Sequence, residues 1–201
     1  MFFVNPAKAQ DERFWRKLIT GELTREQQKE PPAPKWLFST PRYEYDLNGD
    51  GKMESIEIQK RDGLNVIEIY SHDKSLLFSG HIAGIGVESK IYRLRVVDIS
   101  KEVRTIIVHF YEGKTQSRYF EATARLYFLT FHKLKMDKIH FQKGPLYWHE
   151  YEAARDQYWR RQHAINVMDL NKDGKNEIFV NFNKIQSIWR YQDSGLWIEL
   201  K

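Results

Sequence analysis

Two stretches of the chain carry nearly the same string: YDLNGDGKMESIEI at residues 45–58 and MDLNKDGKNEIFVN at residues 168–181. Both contain Asp-Leu-Asn-x-Asp-Gly-Lys-x-Glu and then continue into an apolar segment. In the first copy Ile56, Glu57 and Ile58 alternate apolar and polar, which is typical of a β-strand with one buried face. The repeated string therefore predicts a polar loop that leads into a strand, twice in a chain of 201 residues.

The sequence around these strings predicts further short strands separated by turns. Three stretches have the composition of hairpin turns: RDGLN at 61–65, EGKTQ at 112–116 and QDSGL at 192–196. A looser third copy of the string occurs at residues 96–110, where an apolar run meets Asp98 and resumes after a loop that lacks Asp-Gly. We therefore expect three divergent units of strand, polar loop, strand, hairpin and strand, beginning near residues 43, 92 and 163.

The N-terminal part differs in character from the rest. Residues 1–10 begin apolar and contain Ala7-Lys8-Ala9, whose small residues have the spacing of a signal peptidase site. They predict the remnant of an export signal, and a frayed N-terminus is the alternative. Residues 11–35 predict a helical arm and a Pro-rich connector, and residues 36–201 predict a single β domain. We expect the arm to dock on that domain through Phe14, Trp15 and Leu18.

Each repeated loop places oxygen-bearing side chains at alternate positions, which is the arrangement that a hard cation requires. The glycine at position 6 lets the chain turn sharply, and the lysine at position 7 can offer its backbone carbonyl. Ca²⁺ accepts about six to eight oxygens in irregular geometry and fits such a loop better than Mg²⁺. The predicted ligands are Asp46, Asn48, Asp50, the Lys52 carbonyl and Glu54 in the first loop, and Asp169, Asn171, Asp173, the Lys175 carbonyl and Glu177 in the second.

Two alternatives remain open for these loops. An EF-hand would need a helix on each side and a carboxylate at position 12, where the first loop has Glu57 and the second has Val180. The β-rich flanks, and Pro41 just before the first loop, disfavour helices there. The loops could also be tight turns that Asp and Asn side chains stabilise by hydrogen bonds without a metal.

The string Asp-Leu-Asn-x-Asp-Gly-Lys-x-Glu followed by Ile or Val resembles the calcium loop of FG-GAP/VCBS repeats. These repeats occur in integrin α-chain propellers and in many bacterial exported proteins. The resemblance covers about 14 residues in each of two copies, together with the weak third copy at Asp98. It implies one calcium site in each of the two full loops and none at Asp98. It also implies blade-like sheets, although three units are fewer than the four or so that a closed propeller needs.

The composition describes a packed globular protein with a positive surface. Apolar residues make up 41% and aromatic residues 14% of the chain, which excludes a disordered protein. No apolar run reaches the roughly 18 residues that a membrane-spanning helix needs. The absence of cysteine excludes disulfides and thiolate metal sites. The net charge of +5 favours anionic partners, but the basic residues are dispersed and form no nucleic-acid-binding motif.

No catalytic constellation is recognisable, although a carboxylate pair for glycoside hydrolysis could assemble from distant positions. Residues 144–163 concentrate aromatic and basic side chains of the kind that anchor interfaces. Within this segment, residues 150–162 have the composition of a helix or of an irregular crossing between strands. We predict a binding surface here, with core packing as the alternative. Its predicted anchors are Tyr147, Trp148, Trp159 and Arg160.

Together these patterns predict an all-β fold of divergent, blade-like antiparallel units with an N-terminal helical arm. They favour an exported calcium-binding module of the cell envelope, periplasmic or secreted, that binds a protein or a cell-wall glycan. An envelope enzyme acting on a polysaccharide or peptidoglycan is the alternative. Such an enzyme would show buried carboxylates with strongly shifted pKa values in a cleft, whereas a binding module would show an open aromatic surface.

Overall fold

Three antiparallel sheets follow one another along the chain in a computed structural model that describes residues 42–84, 89–116, 119–153, 157–182 and 184–200. Every regular element in these ranges is a β-strand, which confirms the predicted all-β, antiparallel class. The described part of the chain contains no helix of the length and apolar character needed to cross a membrane. The predicted export remnant (1–10) and helical arm (11–35) lie outside the described residues.

Each sheet is a meander in which every strand pairs with its neighbour in sequence. The first sheet contains β1 (Arg42–Tyr45), β2 (Glu54–Arg61), β3 (Leu64–Tyr70) and β4 (Leu76–Ile82). The second contains β5 (Lys90–Ser100), β6 (Val103–Gln116), β7 (Tyr119–His132), β8 (Ile139–Ala153) and β9 (Gln157–Gln162). The third contains β10 (Ala164–Met168), β11 (Glu177–Phe182), β12 (Lys184–Tyr191) and β13 (Trp197–Leu200). The sheets begin at residues 42, 90 and 164, each within about two residues of a unit start expected from the sequence.

The part of the second sheet around residues 128–131 of β7 is covered on both faces, which explains its continuous apolar run. Because side chains alternate along a strand, Leu129 and Phe131 lie on one face of β7 while Phe128 and Thr130 lie on the other. The Phe128 ring packs against Trp197 of the third sheet, with centroids 4.8 Å apart. Leu129 and Phe131 instead join a buried cluster shared with the first sheet: Leu47, Ile56, Ile67, Ile69, Ile82, Ile91, Leu94, Ile106, Val108 and Phe110.

Trp197 attaches the third sheet to the second by hydrogen bonds as well as by packing. Its indole N–H donates to Thr130 Oγ1 at 2.9 Å. Its backbone N–H donates to Gln142 Oε1 at 2.9 Å, and its carbonyl accepts from Gln142 Nε2 at 2.7 Å. Trp197 is buried, so water competes little for these bonds, and each contributes about 1 kcal/mol.

Two of the three predicted hairpin turns are present. Asp62 and Gly63 connect β2 to β3 with φ angles of 49° and 78°, the paired positive values of a type I′ turn. The turn at residues 192–196 connects β12 to β13, and Gly195 within it has a φ of 91°. The third prediction has the wrong position, because residues 112–116 continue β6 and pair with β7. They form the last five pairs of the β6–β7 ladder, which ends at the pair Gln116–Tyr119.

Residues 150–153 and 157–162 lie in strands, so the predicted helix or irregular crossing is wrong for these described residues. The end of β8 pairs in regular register with β9. Tyr151 lies opposite Trp159, and Glu150 lies opposite Arg160. Aromatic pairs and opposite-charge pairs of this kind stabilise adjacent antiparallel strands. Those cross-strand pairs outweigh the local composition that suggested a helix.

Candidate metal centre and aromatic face

Both copies of the repeated string are loops between paired strands. The first loop (residues 46–54) connects β1 to β2, and the second loop (residues 169–177) connects β10 to β11. An EF-hand requires a helix on each side of its loop. Strands on both sides of each loop therefore remove the EF-hand alternative.

In the first loop the side-chain oxygens at odd positions turn inward and accept hydrogen bonds from the loop backbone. Asp46 Oδ2 accepts from the Gly51 N–H at 3.0 Å, and Asn48 Oδ1 accepts from the Asp50 N–H at 2.9 Å. Asp50 Oδ1 in turn accepts from the Lys52 N–H at 2.8 Å. Gly51 has a φ of 83°, a conformation that an L side chain rarely adopts. The glycine at position 6 is thus required by the backbone, as the sequence predicts.

The second loop repeats these three bonds, although Oδ1 of its first aspartate accepts from the Asp173 N–H, whereas Asp46 Oδ1 accepts from the Gly49 N–H. Asp169 Oδ2 accepts from the Gly174 N–H at 2.8 Å, and Asn171 Oδ1 accepts from the Asp173 N–H at 3.1 Å. Asp173 Oδ1 accepts from the Lys175 N–H at 2.9 Å, and Gly174 has a φ of 81°. The two loops are therefore one local structure that occurs in two different sheets.

The glutamate at position 9 closes each loop. Glu54 Oε2 accepts from the backbone N–H of Leu47 at 2.8 Å, and Glu177 Oε2 accepts from that of Leu170 at 2.9 Å. Both glutamates are only 2% exposed. Burial raises the pKa of Glu54, and the charges of Asp50 and Asp46 raise it further. The first loop is therefore a concentration of negative charge that its own geometry does not neutralise.

The aspartates at position 5 are held in the ionised form by the loop itself. Hydrogen bonds from the Lys52 N–H and the Asn48 side chain lower the pKa of Asp50. The Lys175 N–H lowers the pKa of Asp173, and the Asn171 and Arg190 side chains lower it further. Both aspartates therefore present carboxylates at neutral pH, the form that a cation binds.

The turn between β5 and β6 lies between the two loops and is hydrogen-bonded to both. Arg104 donates to the Asp46 carbonyl at 2.7 Å and forms an ion pair with Asp98 at 2.6 Å. On the other side, the Asn176 side chain donates to the Asp98 carbonyl at 2.9 Å, and its backbone N–H donates to the Ile99 carbonyl at 2.7 Å. The weak third copy of the string thus lies between the two full copies, at one end of the three sheets.

The donor chemistry of the loops suits a hard cation. Each loop offers two aspartates, an asparagine oxygen and a backbone carbonyl, with a buried glutamate next to them, all oxygen donors as Ca²⁺ prefers. Among the described residues, no group of three or more His, Cys, Asp or Glu side chains is arranged to hold a metal ion. Ligation would therefore depend on the asparagine and carbonyl oxygens as well as on the carboxylates.

The predicted binding residues do not form one surface. Tyr147 and Trp148 are 2% and 3% exposed, so they belong to the packed interior and are not accessible to a partner. Trp159 is 44% exposed, and the Arg160 guanidinium lies 5.5 Å from the centre of the Trp148 ring. Tyr147 and Trp148 are both buried because the register shifts here: Leu146 and Trp148 have partners on β7, but Tyr147 has none. Such a bulge lets two consecutive side chains be buried, against the ordinary alternation.

An exposed aromatic face does occur on the outer part of the second sheet. Tyr151 is 38% exposed and lies beside Trp159 on the neighbouring strand. The Arg161 guanidinium lies 5.5 Å from the centre of the Trp159 ring, and the His149 ring meets that ring edge-on at 5.2 Å. Grouping residues by the two-residue period of β8 and β9 would have found this set. Tyr119 at the start of β7 extends the set, because its ring lies 5.8 Å from that of Tyr151. The aromatic face consists of Tyr119, His149, Tyr151, Trp159 and Arg161.

The opposite side of this region contains a buried polar network. Glu150 is fully buried and accepts from the hydroxyls of Tyr111 at 2.9 Å and Tyr158 at 2.7 Å. His109 is buried nearby and contacts the Tyr147 hydroxyl at 3.0 Å. Burial lowers the pKa of His109 well below its usual range, and the charges of Arg93 and Arg95 lower it further. These groups are held by their neighbours, as expected for a polar network inside a core.

A cleft of about 510 Å³ lies elsewhere, between the end of the second sheet and the second loop. Its lining includes Glu102, Lys133, Asp173, Lys175 and Tyr191. The buried Glu150 is not among its lining residues. Burial and the charge of Asp193 raise the pKa of Tyr191 to about 12, so this phenol stays protonated at neutral pH.

Comparison with known proteins found no matching family model, no matching curated protein and no matching solved structure.

Proposed function

We propose that the chain is a calcium-binding β-repeat module that acts outside the cytoplasm and presents its aromatic face to a partner. The observation that carries this proposal is the hydrogen-bond scheme shared by the two loops. In each loop the oxygens at positions 1, 3 and 5 are gathered inward by backbone N–H groups. A carboxylate oxygen that accepts one such bond retains lone-pair capacity for a cation.

Calcium would act here as a structural ion. The strand β1 has four residues and lies at the edge of the first sheet, where it pairs with β2. An ion bound between Asp46 and Glu54 would link the end of β1 to the start of β2. Because the ion would bind the folded state only, its binding free energy would add to the stability of the fold.

The exposure of the loops supports a location rich in calcium. Asp50 and Asp173 are exposed, so ligand oxygens in both loops remain open to water. Extracellular calcium modules of modest ligand number bind with dissociation constants of about 10⁻⁴–10⁻³ M. Such sites would be filled at extracytoplasmic calcium levels, which is why we place the protein in the periplasm, the cell envelope or the secreted fraction.

The sheet arrangement supports a repeat protein with blade-like units of the FG-GAP/VCBS type. Each sheet is a meander, and the second sheet packs between its two neighbours in sequence. The first loop, the Asp98 turn and the second loop occupy corresponding positions, and they contact one another in that order. Contacts between successive units are the general property of repeat architectures.

The aromatic face is the proposed contact surface. Tyr, Trp and Arg anchor interfaces because each covers a large area and keeps a polar group at its tip. Trp159, Tyr151 and Arg161 provide all three residue types within two adjacent strands. A protein or a cell-wall glycan fits this chemistry, and the net charge of +5 favours the anionic polymers of an envelope.

The buried carboxylates favour binding over the alternative of an envelope enzyme. Glu150 is engaged by two tyrosine hydroxyls, and Glu68 is engaged by Arg61 at 2.8 Å and by Tyr70 at 2.9 Å. Although burial opposes ionisation of Glu68, these partners outweigh it, and its pKa is lowered. Neither glutamate lines the 510 Å³ cleft. Both therefore have the environment of structural groups.

A co-sedimentation assay tests the proposed contact surface. The purified chain, in about 1 mM calcium, is mixed with insoluble cell-wall glycan and separately with immobilised envelope proteins. Trp159→Ala and Arg161→Gln should each weaken binding to whichever of the two materials the wild-type chain binds. The expected loss is on the order of tenfold for a hot-spot residue. Leu76→Ala removes another exposed apolar side chain, from the first sheet, and should leave binding unchanged. Binding that survives both face substitutions would contradict the assignment.

A further inference from the structure

A positive charge lies beside the second loop. Arg190 on β12 forms an ion pair with the Oδ2 atom of Asp173. Its Nε also lies 3.7 Å from Oε1 of Glu177. One guanidinium therefore contacts the carboxylates at positions 5 and 9 of this loop.

The first loop has a different residue at the equivalent place. Ile178 pairs with Trp189, so the next position along the antiparallel ladder sets Glu177 opposite Arg190. In the first sheet Ser55 pairs with Tyr70, which sets Glu54 opposite Ser71. The Ser71 hydroxyl bonds to Asp73 and Ser75 inside its own turn. The same scaffold thus carries a guanidinium beside one loop and a hydroxyl beside the other.

The carboxylates of the first loop have no such counter-ion within the described ranges. No lysine or arginine there forms an ion pair with Asp46, Asp50 or Glu54. Arg104 approaches this loop, but it donates to the Asp46 carbonyl and directs its Nε to Asp98. Within these ranges the three carboxylates of the first loop therefore have no ion pair, whereas two of the three in the second loop share one guanidinium.

We propose that Arg190 is the resident counter-ion of the second loop, so that this loop is structured without calcium and the first loop is the calcium-responsive one. This inference rests on the proposed function, because it divides the calcium sites between the two loops. The asymmetry would make one end of the repeat array permanently rigid and the other dependent on calcium.

The physical reason is competition between two cations for the same oxygens. An ion at the second loop must displace Arg190 from Asp173 or bind next to its charge. The pair itself is partly exposed, so breaking it costs little. The repulsion between Ca²⁺ and a guanidinium a few ångströms away is larger, because Coulomb energy scales with the product of the charges. We expect an affinity lower than that of the first loop by on the order of tenfold or more.

Isothermal titration of the chain with calcium alone tests this assignment. The wild-type chain should show one stronger site, which Asp50→Asn removes and Asp173→Asn leaves in place. Arg190→Gln should add a second site of comparable strength, and Arg190→Lys should fall between the two. Ser71→Arg should weaken the first site, also by on the order of tenfold. Arg61→Gln is the control: Arg61 lies at the end of β2 away from the first loop and pairs with Glu68. Its removal should change neither affinity.

The outcomes separate this inference from the proposed function. Two sites of equal affinity in the wild-type chain, or no gain of affinity in Arg190→Gln, would overturn the role of Arg190 while leaving calcium binding intact. No binding to any variant at about 10 mM calcium would instead overturn the proposed function itself. Thermal melts of each variant without calcium show that a lost site is not a lost fold, and Ser71→Arg gives a second test that does not alter Arg190.

Discussion

The Glu54 carboxylate accepts a hydrogen bond of 2.8 Å from the backbone N–H of Leu47 across the first loop. The Leu47 side chain is fully buried in the core between the first two sheets. This bond therefore connects the last residue of the loop to the one that anchors the loop in the core. The second loop has the corresponding bond from Leu170 to Glu177, but Leu170 is 39% exposed.

Two substitutions of Glu54 should separate the effect of its hydrogen bond on stability from the effect of its charge. Glu54→Ala leaves the Leu47 N–H without its acceptor and should destabilise the fold by about 1–3 kcal/mol. Glu54→Gln keeps an acceptor and removes the repulsion from Asp46 and Asp50, so its stability without calcium should lie within about 1 kcal/mol of wild type. Urea denaturation in a calcium chelator measures both, with Glu57→Gln as the neighbouring control. Equal losses for Ala and Gln would show that the hydrogen bond to Leu47 is not the stabilising element.

The bond between Trp197 and Thr130 predicts energetic coupling between the second and third sheets. Trp197→Phe and Thr130→Val each remove one partner of the 2.9 Å bond. A double-mutant cycle should give a coupling of about 1 kcal/mol, because the bond is buried. Equilibrium unfolding of the four proteins measures it. Strictly additive effects would mean that the third sheet does not pack on the second in this register.

The stability of the fold should depend on His109 below neutral pH. Burial lowers the pKa of His109 below its value in the unfolded chain, which is near 6.5. The unfolded chain then binds more protons, so this contribution is complete above about pH 6.5 and is lost as the pH falls towards the folded-state pKa. His109→Phe should flatten the dependence of urea midpoints between about pH 6.5 and 5, whereas His81→Gln at an exposed position should not. An unchanged slope in His109→Phe would contradict this assignment.

Adding a glycine at one turn and removing a glycine from another should change the stability of the fold in opposite directions. Lys133 and Leu134 connect β7 to β8 with φ angles of 55° and 51°, which cost roughly 1–2 kcal/mol per residue for L side chains. Lys133→Gly should therefore raise stability by about 0.5–1 kcal/mol, after the greater chain entropy of glycine is subtracted. Gly63→Ala should lower it by about 1 kcal/mol, because Gly63 has a φ of 78°. Thermal melts of both variants give the signs, and two changes of the same sign would contradict the turn conformations.

Much of the fold follows from local patterns. The Asp-Leu-Asn strings predict loops between strands because glycine at position 6 and the alternation after position 9 are both local features. Asp62-Gly63 likewise predicts a hairpin, since few dipeptides adopt two positive φ angles easily. Residues 112–116 have turn-type composition for a similar local reason, but they form the end of the β6–β7 ladder, which continues to the pair Gln116–Tyr119.

The structural features that the sequence alone does not predict depend on pairs of residues that are far apart along the chain. The burial of Tyr147 follows from a register shift against β7, and nothing in the segment 144–163 marks it. Arg190 lies thirteen residues after Glu177 and meets it only through the β11–β12 ladder. Exposed and buried aromatics in β8 and β9 separate only once the strand register is known. Nearly identical loop sequences therefore have different electrostatic surroundings, which the strings themselves do not encode.

The most direct test of the central claim is the melting temperature of the chain with and without calcium. With calcium about tenfold above its dissociation constant, mass action should add roughly 1.4 kcal/mol and raise the melting temperature by about 3–6 °C. Asp50→Asn should abolish the rise, and an equal concentration of magnesium should produce much less. A melting temperature that does not move at about 10 mM calcium, or that rises equally in Asp50→Asn, would contradict the account.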